Sequence, residues 1–251
     1  MMPDYDTWHR ERLADLAAPD GWLNLTDRLY LGQGIHSLGS AADCDLRLST
    51  GPARLGQLDA RQTEVALVTT GETKPFATTT GNPTLEIAGL LLEIMTVDGE
   101  RSLRVRDLTR PVTAPEIPRY PVNPAWRITA RWVPLATPMP VQIDMVNGAT
   151  VTLHQTHRAE FSHDGHAVAL TVAHRKPQGP MFVFRDRTAG ETYGAGRFLY
   201  GQENGDGTIT LDFNTAFNPP CAFSEHAICP LPPRENILPF RIEAGEKLPL
   251  T

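Results

Sequence analysis

The sequence predicts an all-β protein that opens with one helix. Three observations carry that prediction. From Trp22 onward the chain runs in short stretches rich in Val, Leu, Ile, Thr and Phe, cut at close intervals by Gly, Pro, Asn and Asp. The cuts include Asp98-Gly99, Asn147-Gly148, Asp164-Gly165 and Asn204-Gly205-Asp206-Gly207, where positive φ comes at little cost and a strand can turn back on itself. Convincing helical spacing occurs only over Asp6 to Ala17, before the first of these stretches.

The helix places Trp8, Leu13 and Leu16 near one face, with Asp6 or Thr7 available as cap and Pro19-Asp20-Gly21 as stop. It is expected to act as a lid or strap over residues 1–21. Strand patterns follow at 22–31, 34–39, 45–49, 56–60, 63–69, 84–97 and 103–108, enough for a β-sandwich over residues 22–112. The next stretch, RPVTAPEIPRYPVNPAW, holds five prolines in seventeen residues. Proline cannot donate to a ladder, so this is the expected domain boundary, near residues 111–125. Further strand patterns at 126–135, 140–146, 149–155, 158–163, 166–174, 181–186, 197–202 and 208–214 predict a second antiparallel sandwich or barrel over residues 113–251. A long proline-rich C-terminal loop closes it.

Composition narrows the function classes. A net charge of −6 over 251 residues, with 23 Lys+Arg and no long basic run, lacks the footprint of a nucleic-acid binder. The N-terminus shows no basic stretch followed by an apolar one, and the longest apolar stretch, around Ile87–Met95, falls well short of the ~20 residues that span a bilayer. A soluble, cytoplasmic protein without membrane or nucleic-acid partners is expected. Three cysteines argue against a disulfide framework, while leaving one bridge plus a free thiol open.

Two segments concentrate chemistry. Around Asp164-Gly165, a two-residue turn sets His163 opposite His166, Phe161 opposite Val168, Ala159 opposite Leu170, His157 opposite Val172 and Gln155 opposite His174. Four histidines then share one face, but His157 and His163 lie about 20 Å apart along the strand, too far for one metal. The second segment is DFNTAFNPPCAFSEHAICPLPP, residues 212–233. Its prolines forbid a ladder, so it must be a shaped loop in which Asp212, Asn214 and Asn218 can cap backbone groups. The same stiffness would hold Cys221, Glu225, His226 and Cys229 in fixed positions.

Two resemblances add expectations. LGQGIHSLGSAADCDLRLSTGPARLGQL resembles the opening of forkhead-associated domains at Gly39, Asp45 and Leu46. That family captures phosphothreonine with an arginine after the glycine and a Ser-x-x-His in the next loop. Ser40 stands at the arginine place here and no Ser-x-x-His is present, so the resemblance implies the sandwich without the phosphate site. FRDRTAGETYGAGRFLY and LDFNTAFNPPCAFSEHAICPLPPRENILPFRIEAGEK resemble the DUF1684 family, a domain of unknown function, and the likeness extends back through APDGWLNLTDRLYLGQG and YPVNPAWRITARWVP. The polar positions it implies are Asp186, Thr188, Tyr193, Arg197, Asp212, Asn214, Asn218, Cys221 and Cys229.

The leading expectation is a pocket in the second domain that binds a small molecule, with an enzymatic step left open. Cys221, His226, Arg197 and Tyr193 are its candidate catalytic groups, with Arg197 suited to an anion, and Asp186, Asp212, Asn214 and Asn218 its candidate binding groups. Cys221 beside His226 would be an activated thiolate, and Cys221 with Cys229 a redox pair or bridge. As alternatives, Cys221, His226 and Cys229 offer soft ligands to zinc or copper, the two cysteines are small buried hydrophobes, or the first sandwich serves as a protein-interaction module.

Overall fold

The computed structural model describes residues 4–78 and 81–250, so the first three residues of the expected N-terminal segment and the last of the expected C-terminal domain lie outside it. Among the described residues, helix α1 (Tyr5–Ala17) is the one α-helix, and the rest is strand, turn and short 3-10 segments. Its cap is Asp4 rather than Asp6 or Thr7. The Asp4 carboxylate accepts the amides of Asp6 and Thr7, each at 3.1 Å, and the Thr7 hydroxyl at 2.6 Å. No helix among these residues is long and apolar enough to cross a membrane. The chain divides into two compact units: an N-terminal unit of Arg12–Ala114 with Ser224–Ala227, and a C-terminal unit of Met1–Glu11, Pro115–Phe223 and Ile228–Thr251.

The N-terminal unit contains, in chain order, β1 (Leu25–Tyr30), β2 (Ile35–Gly39), β3 (Leu46–Arg47), β4 (Gly56–Asp59), β5 (Ala66–Thr69), β6 (Glu72–Pro75), β7 (Thr84–Ile87), β8 (Leu90–Val97) and β9 (Glu100–Asp107). They form one sheet of order β1-β9-β8-β7 and a second of order β3-β2-β4-β5-β6. Leu38, Leu58 and Leu67 of one sheet and Leu92, Leu103 and Val105 of the other meet in a single dry core, which makes the unit a sandwich. Alternation along β9 sends Arg104 and Arg106 to the opposite face. There both guanidinium groups grip Glu93, at 2.5 and 2.7 Å, and both lie against the Trp22 ring. Gly39 is needed because a Cβ there would sit 2.3 Å from the Ala53 carbonyl oxygen. Next to it, the Ser40 hydroxyl donates to the Gly51 carbonyl at 2.9 Å, a local turn bond.

The C-terminal unit contains β10 (Arg127–Asp144), β11 (Thr150–His163), β12 (His166–Thr171), β13 (His174–Lys176), β14 (Gly179–Phe184), β15 (Arg197–Glu203) and β16 (Thr208–Asp212), in one sheet of order β12-β11-β10-β16-β15-β14-β13. Its two edge strands are consecutive, separated only by Val172 and Ala173. The sheet must therefore curl until its edges approach, giving a half-barrel. Phe182, Phe184, Leu199, Leu211 and Phe213 fill the concave side, and the C-terminal segment adds Leu238, Phe240, Ile242 and Ala244 to the same core. The pairing of β10 with β11 slips between Pro134–His157 and Met139–Gln155, a bulge in a stretch where Pro134, Pro138 and Pro140 supply no amide hydrogen.

Candidate functional site

Most of the polar residues expected around a pocket are used by the scaffold instead. Asp212 ends β16 and accepts the Tyr5 hydroxyl at 2.8 Å, the Asn214 amide at 3.2 Å and the Asn214 side-chain amide at 3.0 Å, with Arg127 at 3.4 Å. Asn214 in turn accepts the Asn123 amide at 2.9 Å and donates to its carbonyl. Asn218 donates its amide to Glu246 at 2.7 Å and its side chain to the Lys247 carbonyl at 2.8 Å. Asp186 accepts the Thr188 hydroxyl at 2.7 Å and the Ile242 amide. All four, Asp186, Asp212, Asn214 and Asn218, are buried and serve as internal caps.

Arg197, expected to meet an anion, is used inside the fold. Its side chain runs into the core, only 1% exposed. There its fork donates to the carbonyls of Ala244, Glu246 and Ile242, with Asp186 at 3.5 Å and the Phe184 ring at 5.1 Å. Burial pushes its pKa down against the pull of Asp186. A guanidinium so enclosed offers nothing to an external anion; it ties the C-terminal segment to β15. Arg197 reaches that place because Gly196, at φ +108, lets the chain pass where a Cβ would lie 2.8 Å from the Phe184 carbonyl oxygen.

Three of the expected residues do come together: Tyr193, Cys221 and Cys229. Pro219 and Pro220 set a 3-10 turn over Pro220–Ala222 that carries Cys221, closed by the Ala222 amide on the Pro219 carbonyl at 2.9 Å. Cys229 is held from the other side. Its carbonyl accepts the Val146 amide at 3.0 Å, and the Leu231 amide donates to Asp144 at 2.7 Å. The result brings the Cys221 amide to 3.3 Å from Cys229 Sγ. The Tyr193 hydroxyl donates to the Cys221 carbonyl at 3.0 Å.

The two thiols differ in access: Cys229 is 2% exposed, while Cys221 is half-buried. The hydrogen bond from Cys229, supported by Tyr193 and opposed by burial, pulls the Cys221 thiol down to about 7. Burial first, then the two sulfurs, push the Tyr193 hydroxyl up, so it stays a proton donor. Such an arrangement can deliver a thiolate to an electrophile with two hydrogen-bond donors at hand.

The groups bonded at Cys221 are Cys229 and Tyr193, whereas the sequence suggested His226. His226 and Glu225 belong to the Ser224–Ala227 stretch that groups with the N-terminal unit, and the His226 amide turns locally onto the Ser224 hydroxyl at 3.3 Å. Nor is the zinc or copper set of Cys221, His226 and Cys229 assembled. Among the described residues no group of three or more His, Cys, Asp or Glu side chains is placed to hold a metal ion. The third thiol, Cys44, lies buried with its sulfur near the Ala53 carbonyl.

The histidine-bearing hairpin keeps the expected register for His163–His166, Phe161–Val168 and Ala159–Leu170. It then departs. The ladder ends at Arg158–Thr171, and the chain crosses to the far edge of the sheet as β13. His163, rather than facing open solvent, packs between the rings of Trp126 and Phe240 at 4.5 and 4.8 Å. Where β11 and β13 part, a groove of about 310 Å³ opens, lined by Trp132, His154, Gln155, Val172, His174 and Arg175 among others. Arg175 and the Trp132 indole N–H share Glu203, at 2.7 and 3.1 Å, and His157 stacks on Trp132 at 4.9 Å. Burial, then Lys176, push the His174 imidazole down. Sequence reasoning set Gln155 opposite His174 but read a ladder where a seam lies. Trp132 and Arg175 carried no local signal.

A family model described as a protein of unknown function, DUF1684, matches residues 114–247, which include all three residues of the thiol cluster. The chain is also similar to an uncharacterized protein of Haloarcula marismortui whose solution structure was determined by NMR, with 31% identity over 52% of this chain and 75% of that one, and a TM-score of 0.42. No curated protein matches it significantly.

Proposed function

The chain belongs to the DUF1684 family, and from the geometry of its own side chains we propose that the C-terminal unit binds an electrophilic small molecule and reacts with it through Cys221. One observation carries this: a half-buried cysteine whose amide donates to the Cys229 sulfur and whose carbonyl accepts the Tyr193 hydroxyl, in a turn stiffened by two prolines. With its thiol drawn down to about 7, Cys221 gains thiolate character, the nucleophilic form, toward neutral pH. Tyr193 supplies the proton that a leaving group takes away. The reading assigns the protein to the cytoplasm, where thiols stay reduced. Iodoacetamide modification of Cys221, followed by mass spectrometry across pH, tests it. The rate should be half-maximal near pH 7 and should move toward the ordinary thiol value of about 8.5 in Tyr193→Phe. A native profile that rises only around that ordinary value sinks the proposal.

The seam groove favours a second reading, a non-covalent site for an amphiphilic small molecule, its apolar part on Trp132, Leu153 and Val172 and its polar part toward His154, His174 and Arg175. Small molecules that co-purify with the native chain should be lost from His154→Ala and His174→Ala; equal retention removes this reading. For the N-terminal sandwich we propose the forkhead-associated class as scaffold only. With the Ser40 hydroxyl on the Gly51 carbonyl and no arginine beside it, phosphothreonine peptides should bind no better than their unphosphorylated forms.

A further inference from the structure

We propose that Cys221 and Cys229 are a reversible dithiol whose oxidant is a hydroperoxide, with Cys221 attacking the peroxide and Cys229 resolving the product to an internal disulfide. This rests on the thiol reading above and names its substrate class. The geometry points to it in three ways. First, the two cysteines are neighbours, the Cys221 amide donating to Cys229 Sγ at 3.3 Å. Second, access is unequal. Cys229, at 2% exposed, is shielded from any reagent, so it can react only with a partner presented from inside the fold, and Cys221 is that partner. Third, both residues are pinned: Cys221 by the Pro219-Pro220 turn and Cys229 by the Val146 bond to its carbonyl.

The chemistry balances. The Cys221 thiolate attacks the terminal peroxide oxygen, the O–O bond breaks, and the alcohol or water leaves with one proton, giving the sulfenic acid. Cys229 then attacks that sulfur; the S–S bond forms, the S–O bond breaks and water leaves. Two thiols lose two electrons and two protons, and the hydroperoxide is reduced to an alcohol plus water. A small oxidant fits the half-buried sulfur better than a bulky disulfide, because the attacked atom must approach in line with it.

The test uses the full chain treated with hydrogen peroxide or tert-butyl hydroperoxide and read by intact mass and thiol mapping. The expected result is loss of the mass of two hydrogens, a Cys221–Cys229 peptide, an unmodified Cys44, and full reversal by dithiothreitol. Cys229→Ser should stop at the sulfenic acid, trapped on Cys221 by dimedone, and Cys221→Ser should leave Cys229 unreacted. Circular dichroism establishes that both variants fold. Oxidation of Cys221 straight to sulfinic acid in the native chain, or a bridge to Cys44, overturns the proposal. If Cys221 still takes iodoacetamide rapidly at neutral pH in that case, the thiolate reading stands and only the dithiol is wrong. If iodoacetamide also fails, both fall.

Discussion

Replacing Arg197 by methionine tests the claim that this residue is an anchor and not a ligand-binding group. Methionine keeps much of the apolar length, so the loss is dominated by polar groups left behind. Three main-chain carbonyls, of Ile242, Ala244 and Glu246, lose their donor, and Asp186 loses its cation while keeping the Thr188 hydroxyl and the Ile242 amide. Each buried unsatisfied group costs about 1–3 kcal/mol, and breaking a buried ion pair costs about 3–5 kcal/mol. These costs overlap, because the segment can relax once released, so about 4 kcal/mol is expected. That is a large part of the ~5–15 kcal/mol that holds an ordinary domain together. Urea unfolding followed by the fluorescence of the buried Trp126 and Trp132 should show the loss in the transition of the C-terminal unit. Asp186→Asn should cost less, since the guanidinium keeps its three carbonyls. A loss below about 1 kcal/mol in Arg197→Met, the scale of an exposed ion pair, would falsify the anchoring argument.

Three further outcomes follow from the same geometry. Burial alone would raise the Glu93 carboxyl, but the charge of Arg104 and the bonds from Arg104, Arg106 and Asn82 outweigh it and hold the group near 2 against an ordinary 4.5. A depressed carboxyl stabilises the fold above its unfolded value, so the N-terminal unit should lose about 2 kcal/mol as pH falls from 4.5 toward 2. Acid titration of stability should show no such step in Glu93→Gln. Burial and the bond to Asp212 push the Tyr5 hydroxyl up to about 12, and Tyr5→Phe removes that buried bond. About 1 kcal/mol should go, read as a fall of roughly 2–4 °C in the melting temperature; an unchanged melt would mean the bond adds nothing. Gly196→Ala forces a side chain into positive φ against the Phe184 carbonyl and should cost about 2 kcal/mol or more in the same melt.

Where local backbone chemistry decides, the sequence was a reliable guide. Asp164-Gly165 turns with φ of 48° and 75°, and the register it imposes holds for as long as β11 and β12 stay paired. Asp98-Gly99 behaves alike. Ala88-Gly89 makes a turn of the same kind, but alanine at φ 52° is an unfavourable choice that carries no signal, so TLEIAGLLLEIMTV reads as one strand where β7 and β8 form a hairpin. The opposite error occurs at Pro134, Pro138 and Pro140. They suggest a break, yet β10 runs on, because its pairing with β16 ends at Arg131 and the prolines fall where no amide is required on that edge. Arg197 was legible as important and illegible as to partner. Its acceptors are main-chain oxygens more than forty residues away, and only the folded path of the C-terminal segment brings them near.

The proline-rich segment sorts its reactive side chains by what a scaffold can use. Asp212, Asn214 and Asn218 have oxygens and amides of the strength needed to replace a missing ladder, and each is consumed by backbone groups that prolines and turns leave over. A thiol is a poor substitute for such groups, being a weak donor and a weak acceptor. The Cys229 sulfur does take the Cys221 amide, at 3.3 Å, but only as a weak acceptor. Packing accounts for Cys229 as a small apolar side chain, but it does not account for a half-buried Cys221 whose amide addresses that neighbour. A serine in place of Cys221 would satisfy the turn equally well while giving up the low-lying anion. The physical property that distinguishes cysteine there is the ease of forming and stabilising a thiolate, which the reaction proposed above would use.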